Sequence, residues 1–192
     1  MGRPKQFDPD AAIDTAMDVF WRKGYAGTTP ADLTEALGIG KGSLYNAFGS
    51  KHALFEQALR RYRDGQEAAM VEFLGGAEPV KDRVRNALRT LATMDLADPD
   101  RRGCLAVNTA AELGDTDEIA ADLVRRMLDR TEQAFRDVID EGQRSGEIEP
   151  GRDPAELASL LLNTVIGMRL LARVSTGPER LDRVIDAAVD AL

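Results

Sequence analysis

The chain has 192 residues, 43% of them apolar and 5% aromatic, with a net charge of −8, one cysteine and one histidine. That length suits one domain, or a small domain joined to a larger one, around a core of Leu, Val, Ile, Ala and Met. One cysteine excludes a disulfide-stapled scaffold, and Cys104 and His52 alone make a poor metal site, so no metal or cofactor is expected.

The N-terminal sequence has no apolar signal-peptide core, and no run approaches the roughly 18 apolar residues of a membrane span. A cytoplasmic protein without membrane contact is expected. Helix starts follow in chain order. Asp8-Pro9 sets an N-cap acceptor before a proline whose missing N–H costs nothing at the first helical position. Ile13, Ala16, Met17, Phe20 and Trp21 then form one apolar stripe, closed at Gly24. Thr29-Pro30 and Asp153-Pro154 repeat the N-cap device, Asp153 with Glu156 and Asp115 with Glu118 have capping-box spacing, and Gly177-Pro178 opens a last helix. Ile119, Leu123, Met127, Leu128, Phe135 and Ile139 mark a long helix over about 116–144. No segment alternates with the period of a strand, so the fold class is all-α.

Residues 28–48 carry the informative pattern: a short helix, a glycine turn at Gly38, and a second short helix pinned by Leu44 and Phe48. Its outward positions hold Lys41, Gly42, Ser43, Tyr45 and Asn46. Small, polar and basic residues suit a helix whose N-terminal end enters the major groove. There Gly42 permits close approach, Ser43 and Asn46 can bond base edges, and Lys41 and Tyr45 can reach bases or phosphates. Bulk charge points the other way, but it is unevenly placed. Residues 1–65 hold 9 Lys/Arg and 8 Asp/Glu, and the remainder holds 16 and 25.

The runs from Trp21 to Thr29 and from Leu37 to Lys51 resemble the tetracycline-repressor (TetR) family, over about residues 8–60. The resemblance implies a three-helix DNA-binding head, a long fourth helix and a larger helical body. It also implies a homodimer that binds a palindromic double-stranded operator and releases it on binding a small molecule. Carried over by position, Thr28 and Thr29 lie at the start of the second helix, where Thr29 caps it and can touch phosphate. Lys41, Gly42 and Ser43 open the recognition helix, Tyr45 and Asn46 face DNA, and Lys51 holds phosphate. Gly40 stands where the family usually has a capping Ser or Thr, and Ala47 where His is common. The expected division is an arm and head over 1–52, continuing into a connecting helix over 50–73, and a ligand-binding and dimerisation body over 53–192. Arg3 and Lys5 make the N-terminal arm either a minor-groove contact or a solvated tail.

In the body, Cys104 follows Arg101-Arg102-Gly103 near a helix start, a setting that favours thiolate. It reads either as an oxidant or electrophile sensor, as in a subgroup of the family, or as a small buried hydrophobe. Asn108, Glu112 and Asn163 sit in apolar helices and read either as cavity-lining polar groups or as interhelical bonds. Arg169 and Arg173 read as partners for acidic neighbours. The apolar faces of helices over about 154–173 and 178–191 (Leu157, Leu160, Leu161, Val165, Met168 and Leu171, then Val184, Ile185, Ala188 and Leu192) suggest a four-helix dimer interface. The rival class, a helical enzyme or small-molecule carrier, lacks a triad, metal cluster or phosphate loop in this sequence.

Overall fold

The computed structural model describes residues 8–192, so Arg3 and Lys5 lie outside the described residues. The described residues form nine α-helices and no strand. They are α1 (Pro9–Gly27), α2 (Pro30–Leu37), α3 (Lys41–Phe48), α4 (Lys51–Leu74), α5 (Val80–Ala97), α6 (Leu105–Leu113), α7 (Glu118–Ser145), α8 (Pro154–Ala172) and α9 (Glu179–Asp190). The caps follow local chemistry. Asp8 accepts from the Asp10 amide, and Asp153 from the Ala155 amide. Thr29 forms a complete capping box with Asp32. Gly24 adopts φ +73° and breaks the regular part of α1 where the apolar stripe ends.

Two expectations change here. The cap of α7 is Asp117, whose carboxylate accepts from the Ile119 and Ala120 amides. Asp115 lies in the turn that leaves α6 and cannot reach those amides. Ile119, expected on the buried stripe, lies in the first turn of α7 and is 48% exposed.

The buried side chains form two clusters. One joins α1, α2, α3 and the first half of α4 to α6 and the first half of α7. The other joins the last turns of α4 to α5, the second half of α7, α8 and α9. Helices α4 and α7 run through both. Leu54, Phe55, Leu59 and Tyr62 of α4 belong to the first cluster, and Met70 and Leu74 to the second. Helix α4 therefore joins the two cores directly.

Helix α8 is long and apolar enough to cross a membrane by length and composition, with mean hydropathy 1.4. Its inner face, Leu157, Leu161 and Met168, is buried in the second core, as in a central helix of a bundle. The same burial revises the expected dimer face. Leu157, Leu161, Val165, Met168, Ile185, Ala188 and Leu192 are occupied within the chain. Leu160, Leu170 and Val174 remain exposed, and a shallow groove of Leu160, Thr164, Val184 and Ala187 joins α8 to α9.

Candidate functional site

Helices α2 and α3 meet at a turn made by Gly38, which closes α2 in the left-handed conformation (φ +63°). Leu33, Leu44 and Phe48 are buried beneath the turn, which fixes the outer face of α3. On that face Lys41, Gly42, Ser43 and Asn46 are exposed and Tyr45 is half-buried, with the Lys41 Nζ 6.0 Å from the Tyr45 ring centre. The side chains of Ser43 and Asn46 form no hydrogen bond with any other described residue. Gly40 caps α3 without a side-chain bond, and open space surrounds Gly42. A helix start without a side-chain acceptor, flanked by unengaged polar groups and a lysine, can receive phosphate oxygens and base edges.

Other residues expected on this surface are engaged within the chain. Thr28 is 1% exposed, and its hydroxyl donates to the Gly24 carbonyl (2.6 Å). Thr29 is exposed, but its hydroxyl donates to Asp32 (2.7 Å) within the capping box. Lys23 pairs with Asp32 (2.6 Å), and these two partners hold the Asp32 carboxyl far below the usual carboxylate range. Lys51, expected to hold phosphate, donates to the carbonyls of Tyr25 (2.9 Å) and Thr28 (3.0 Å) and lies 4.0 Å from the Tyr25 ring centre. Its ammonium adds a donor to the Tyr25 carbonyl, which also accepts from the Thr28 amide (3.3 Å), and serves the Thr28 carbonyl just past the end of α1.

The head is also tied to the body by polar contacts. The Glu112 carboxylate of α6 accepts from the amides of Tyr25 (2.9 Å) and Ala26 (2.6 Å). His52 lies between Asp117 (2.5 Å) and Glu56 (3.0 Å), linking the start of α4 to the cap of α7. The amides of Ala120 and Ile119 and the His52 ring outweigh the effect of burial and hold the Asp117 carboxyl below its ordinary value. Arg102 pairs with Asp18 of α1 (2.7 Å) and with Asp98 (2.9 Å).

A small cavity of about 50 Å³ opens at the seam between the two cores. Leu91, Met127, Val165 and Ile166 supply apolar walls, while Tyr62, Gln66, Cys104 and Arg169 gather at one end. Arg169 is 6% exposed and makes a bidentate pair with Asp95 (2.9 Å for both bonds). It also donates to Gln66 Oε1 (3.2 Å). Burial pushes the Tyr62 hydroxyl well above its ordinary value, so at neutral pH it donates to Cys104 Sγ (3.5 Å). Of the residues expected in a cavity, Cys104 is there. Asn108 instead donates to the Arg102 carbonyl (2.9 Å) and accepts from Arg173 (3.0 Å). Glu112 is the head tether, and Asn163 is exposed, donating to the Ser159 carbonyl one turn back (2.8 Å). Arg169 pairs with an acidic residue as expected, though one on another helix, whereas Arg173 donates to the Asn108 amide oxygen; the gathering of Tyr62 and Gln66 around Arg169 is not legible in the sequence pattern. The one signal there is an arginine inside the apolar run of α8.

The chain matches two family models: "Bacterial regulatory proteins, tetR family" over residues 12–58 and "Tetracyclin repressor-like, C-terminal domain" over 82–188. It is 35% identical over 187 residues to the HTH-type transcriptional repressor ComR of Escherichia coli, covering 95% of this chain and 88% of that one. It is 32% identical over 197 residues to the HTH-type transcriptional regulator YezE of Bacillus subtilis, covering both chains completely. Among solved structures, a cysteine-substituted TetR family regulator, CifR, complexed with a 26-base-pair operator duplex superposes with TM-score 0.88. That match is 34% identical and covers 99% of each chain.

Proposed function

This chain belongs to the TetR family of transcriptional regulators, and from that premise we propose that it is a cytoplasmic homodimeric repressor released from a palindromic operator by a small molecule. The observation that carries the DNA assignment is the outer face of α3. There Ser43 and Asn46 are unengaged and Lys41 is exposed, while the polar side chains around them close caps and turns. Two such helices related by a two-fold axis fit successive major grooves about one helical turn apart. The head over 1–52 reads DNA and the body over 53–192 binds effector and partner. The exposed apolar strip of Leu160, Leu170 and Val174, with the α8–α9 groove, supports pairing with a second copy.

Gel-shift titrations on a duplex selected from random DNA, repeated across salt concentrations, test the residue roles. Lys41→Ala should weaken binding to all sequences and flatten the salt slope by about one unit. Ser43→Ala should alter base preference. Lys51→Ala should lower the thermal stability of the head before it changes the salt slope, because its ammonium already serves two carbonyls. A flattened slope with unchanged stability would return Lys51 to phosphate binding.

The cavity's lining suits an effector that is mostly apolar with one polar end set against Arg169, Gln66 and Tyr62, and at about 50 Å³ the cavity must widen to admit it. A second reading makes Cys104 itself the switch. It is favoured by the position of Sγ on the cavity wall, beside the Tyr62 hydroxyl. Under that reading Cys104→Ser abolishes operator release by hypochlorite or quinones, and unchanged release eliminates it.

A further inference from the structure

The loop between α5 and α6 lies between the cavity and the head. Asp98 folds it by accepting from the amides of Asp100 (3.2 Å) and Arg102 (3.0 Å), and Arg101 ties it to α8 by donating to the Ala172 carbonyl (3.2 Å). Gly103 takes φ +64°, and a Cβ there would stand 3.1 Å from the Arg169 carbonyl and the Arg173 side chain, so the loop fits closely against α8. The Gly103 carbonyl accepts two hydrogen bonds. One comes from Trp21 Nε1 of α1 (3.1 Å), the other from the Arg169 guanidinium (3.4 Å).

Trp21 is not a cavity residue, yet three cavity residues bear on it. Arg169 shares its acceptor. Cys104 is the next residue in the loop. Tyr62, whose hydroxyl faces Cys104, packs its ring edge-on against the indole with centres 4.9 Å apart. The Arg102 guanidinium also lies over the indole, 4.5 Å from the ring centre, and pairs with Asp18 on the same helix. An occupant that displaces Tyr62, Cys104 or Arg169 therefore changes the position or the hydrogen bond of the indole, and with it the seating of α1.

We propose that Trp21 is the positioning residue through which an occupied cavity alters the DNA-binding head, by way of the shared Gly103 carbonyl and the Tyr62 ring. This rests on the effector-cavity reading above. The element on which both sites bear is the loop: the Gly103 carbonyl holds both donors, and an occupant that shifts Arg169 or Tyr62 would release the head donor. Coupling of this kind between two sites is typically about 5- to 150-fold in affinity, and it needs an element with two arrangements that both sites bias.

The probe is N-ethylmaleimide at Cys104, the chain's one cysteine. Its double bond opens, the sulfur adds to one carbon and a proton to the other, and nothing leaves. Labelling is followed by mass, and affinity by titration of the selected duplex. In the wild-type protein, labelling should weaken operator binding about tenfold or more and shift the emission of Trp21, the chain's one tryptophan. Trp21→Phe keeps a ring in place and removes the N–H. It should label equally and, having already lost the head donor, bind the duplex more weakly than wild type before labelling. Labelling should then weaken its binding by no more than about threefold, below the usual range of such coupling. An equal loss of affinity in labelled Trp21→Phe overturns the relay and leaves the cavity reading standing. Undiminished affinity in labelled wild type overturns the cavity reading and the relay with it. Should Trp21→Phe not fold, wild-type emission decides: a shift that accompanies the loss of affinity supports the relay, and unchanged emission overturns it.

Discussion

Replacing Asp95 with alanine should lower folding stability by about 3–5 kcal/mol, the usual cost of leaving one partner of a buried ion pair uncompensated. The pair with Arg169 is bidentate, with both side chains 6–7% exposed. In the variant, the guanidinium would face the apolar wall of the cavity with only Gln66, the Tyr62 hydroxyl and the Gly103 carbonyl as partners. For a chain of this size each kcal/mol corresponds to about 2–4 °C, so the melting temperature should fall by roughly 6–20 °C. Adding Arg169→Met to Asp95→Ala should recover most of the loss, since an apolar side chain of similar length can fill the space without the desolvation cost. Urea unfolding of the two variants measures both effects. A loss below about 1 kcal/mol in Asp95→Ala would place the pair in the weak class of solvent-screened bridges.

Gly42→Glu should leave the protein folded, even slightly more stable, and unable to bind its operator. The position is exposed in the first turn of α3, and nothing lies within 4 Å of where a Cβ would stand. Removing glycine from a helix gains up to about 1 kcal/mol, and a carboxylate suits a helix N-terminus. The same carboxylate would project where the backbone approaches the groove, toward phosphates of like charge. Such juxtaposition costs several kcal/mol, on the order of a hundredfold or more in Kd. Thermal melting combined with a gel shift separates the two effects. Retained binding by a stable Gly42→Glu protein would move the DNA surface off α3.

The elements of the fold can be read locally where a cap and a periodic stripe coincide. Asp8-Pro9, Thr29-Pro30 and Asp153-Pro154 each start a helix because the acceptor and the proline are adjacent in the chain. Asp115 and Asp117 show the limit: both have suitable chemistry, and only the exit of the chain from α6 decides which one caps α7. The recognition face is also legible, because Leu44 and Phe48 are one turn apart and leave Lys41, Ser43 and Asn46 outward. What sequence pattern does not reveal is which polar groups are already engaged. Glu112 finds the amides of Tyr25 and Ala26, Lys51 finds the end of α1, and Arg169 finds Asp95, all across long stretches of chain. An apolar stripe likewise does not say whether it faces its own core or a partner. Most of the stripes on α8 and α9 face their own core.

Under the proposed function, α3 reads DNA and the body of a homodimer sets the spacing of two heads. This central claim is tested most directly by selecting bound duplexes from a random library with the wild-type protein and footprinting the enriched sequence. The expected result is a two-fold symmetric site whose half-sites are centred about one helical turn, or a little more, apart, with protection in successive major grooves that Gly42→Glu abolishes. Enrichment of no sequence over the starting library, or protection that survives Gly42→Glu, would contradict it.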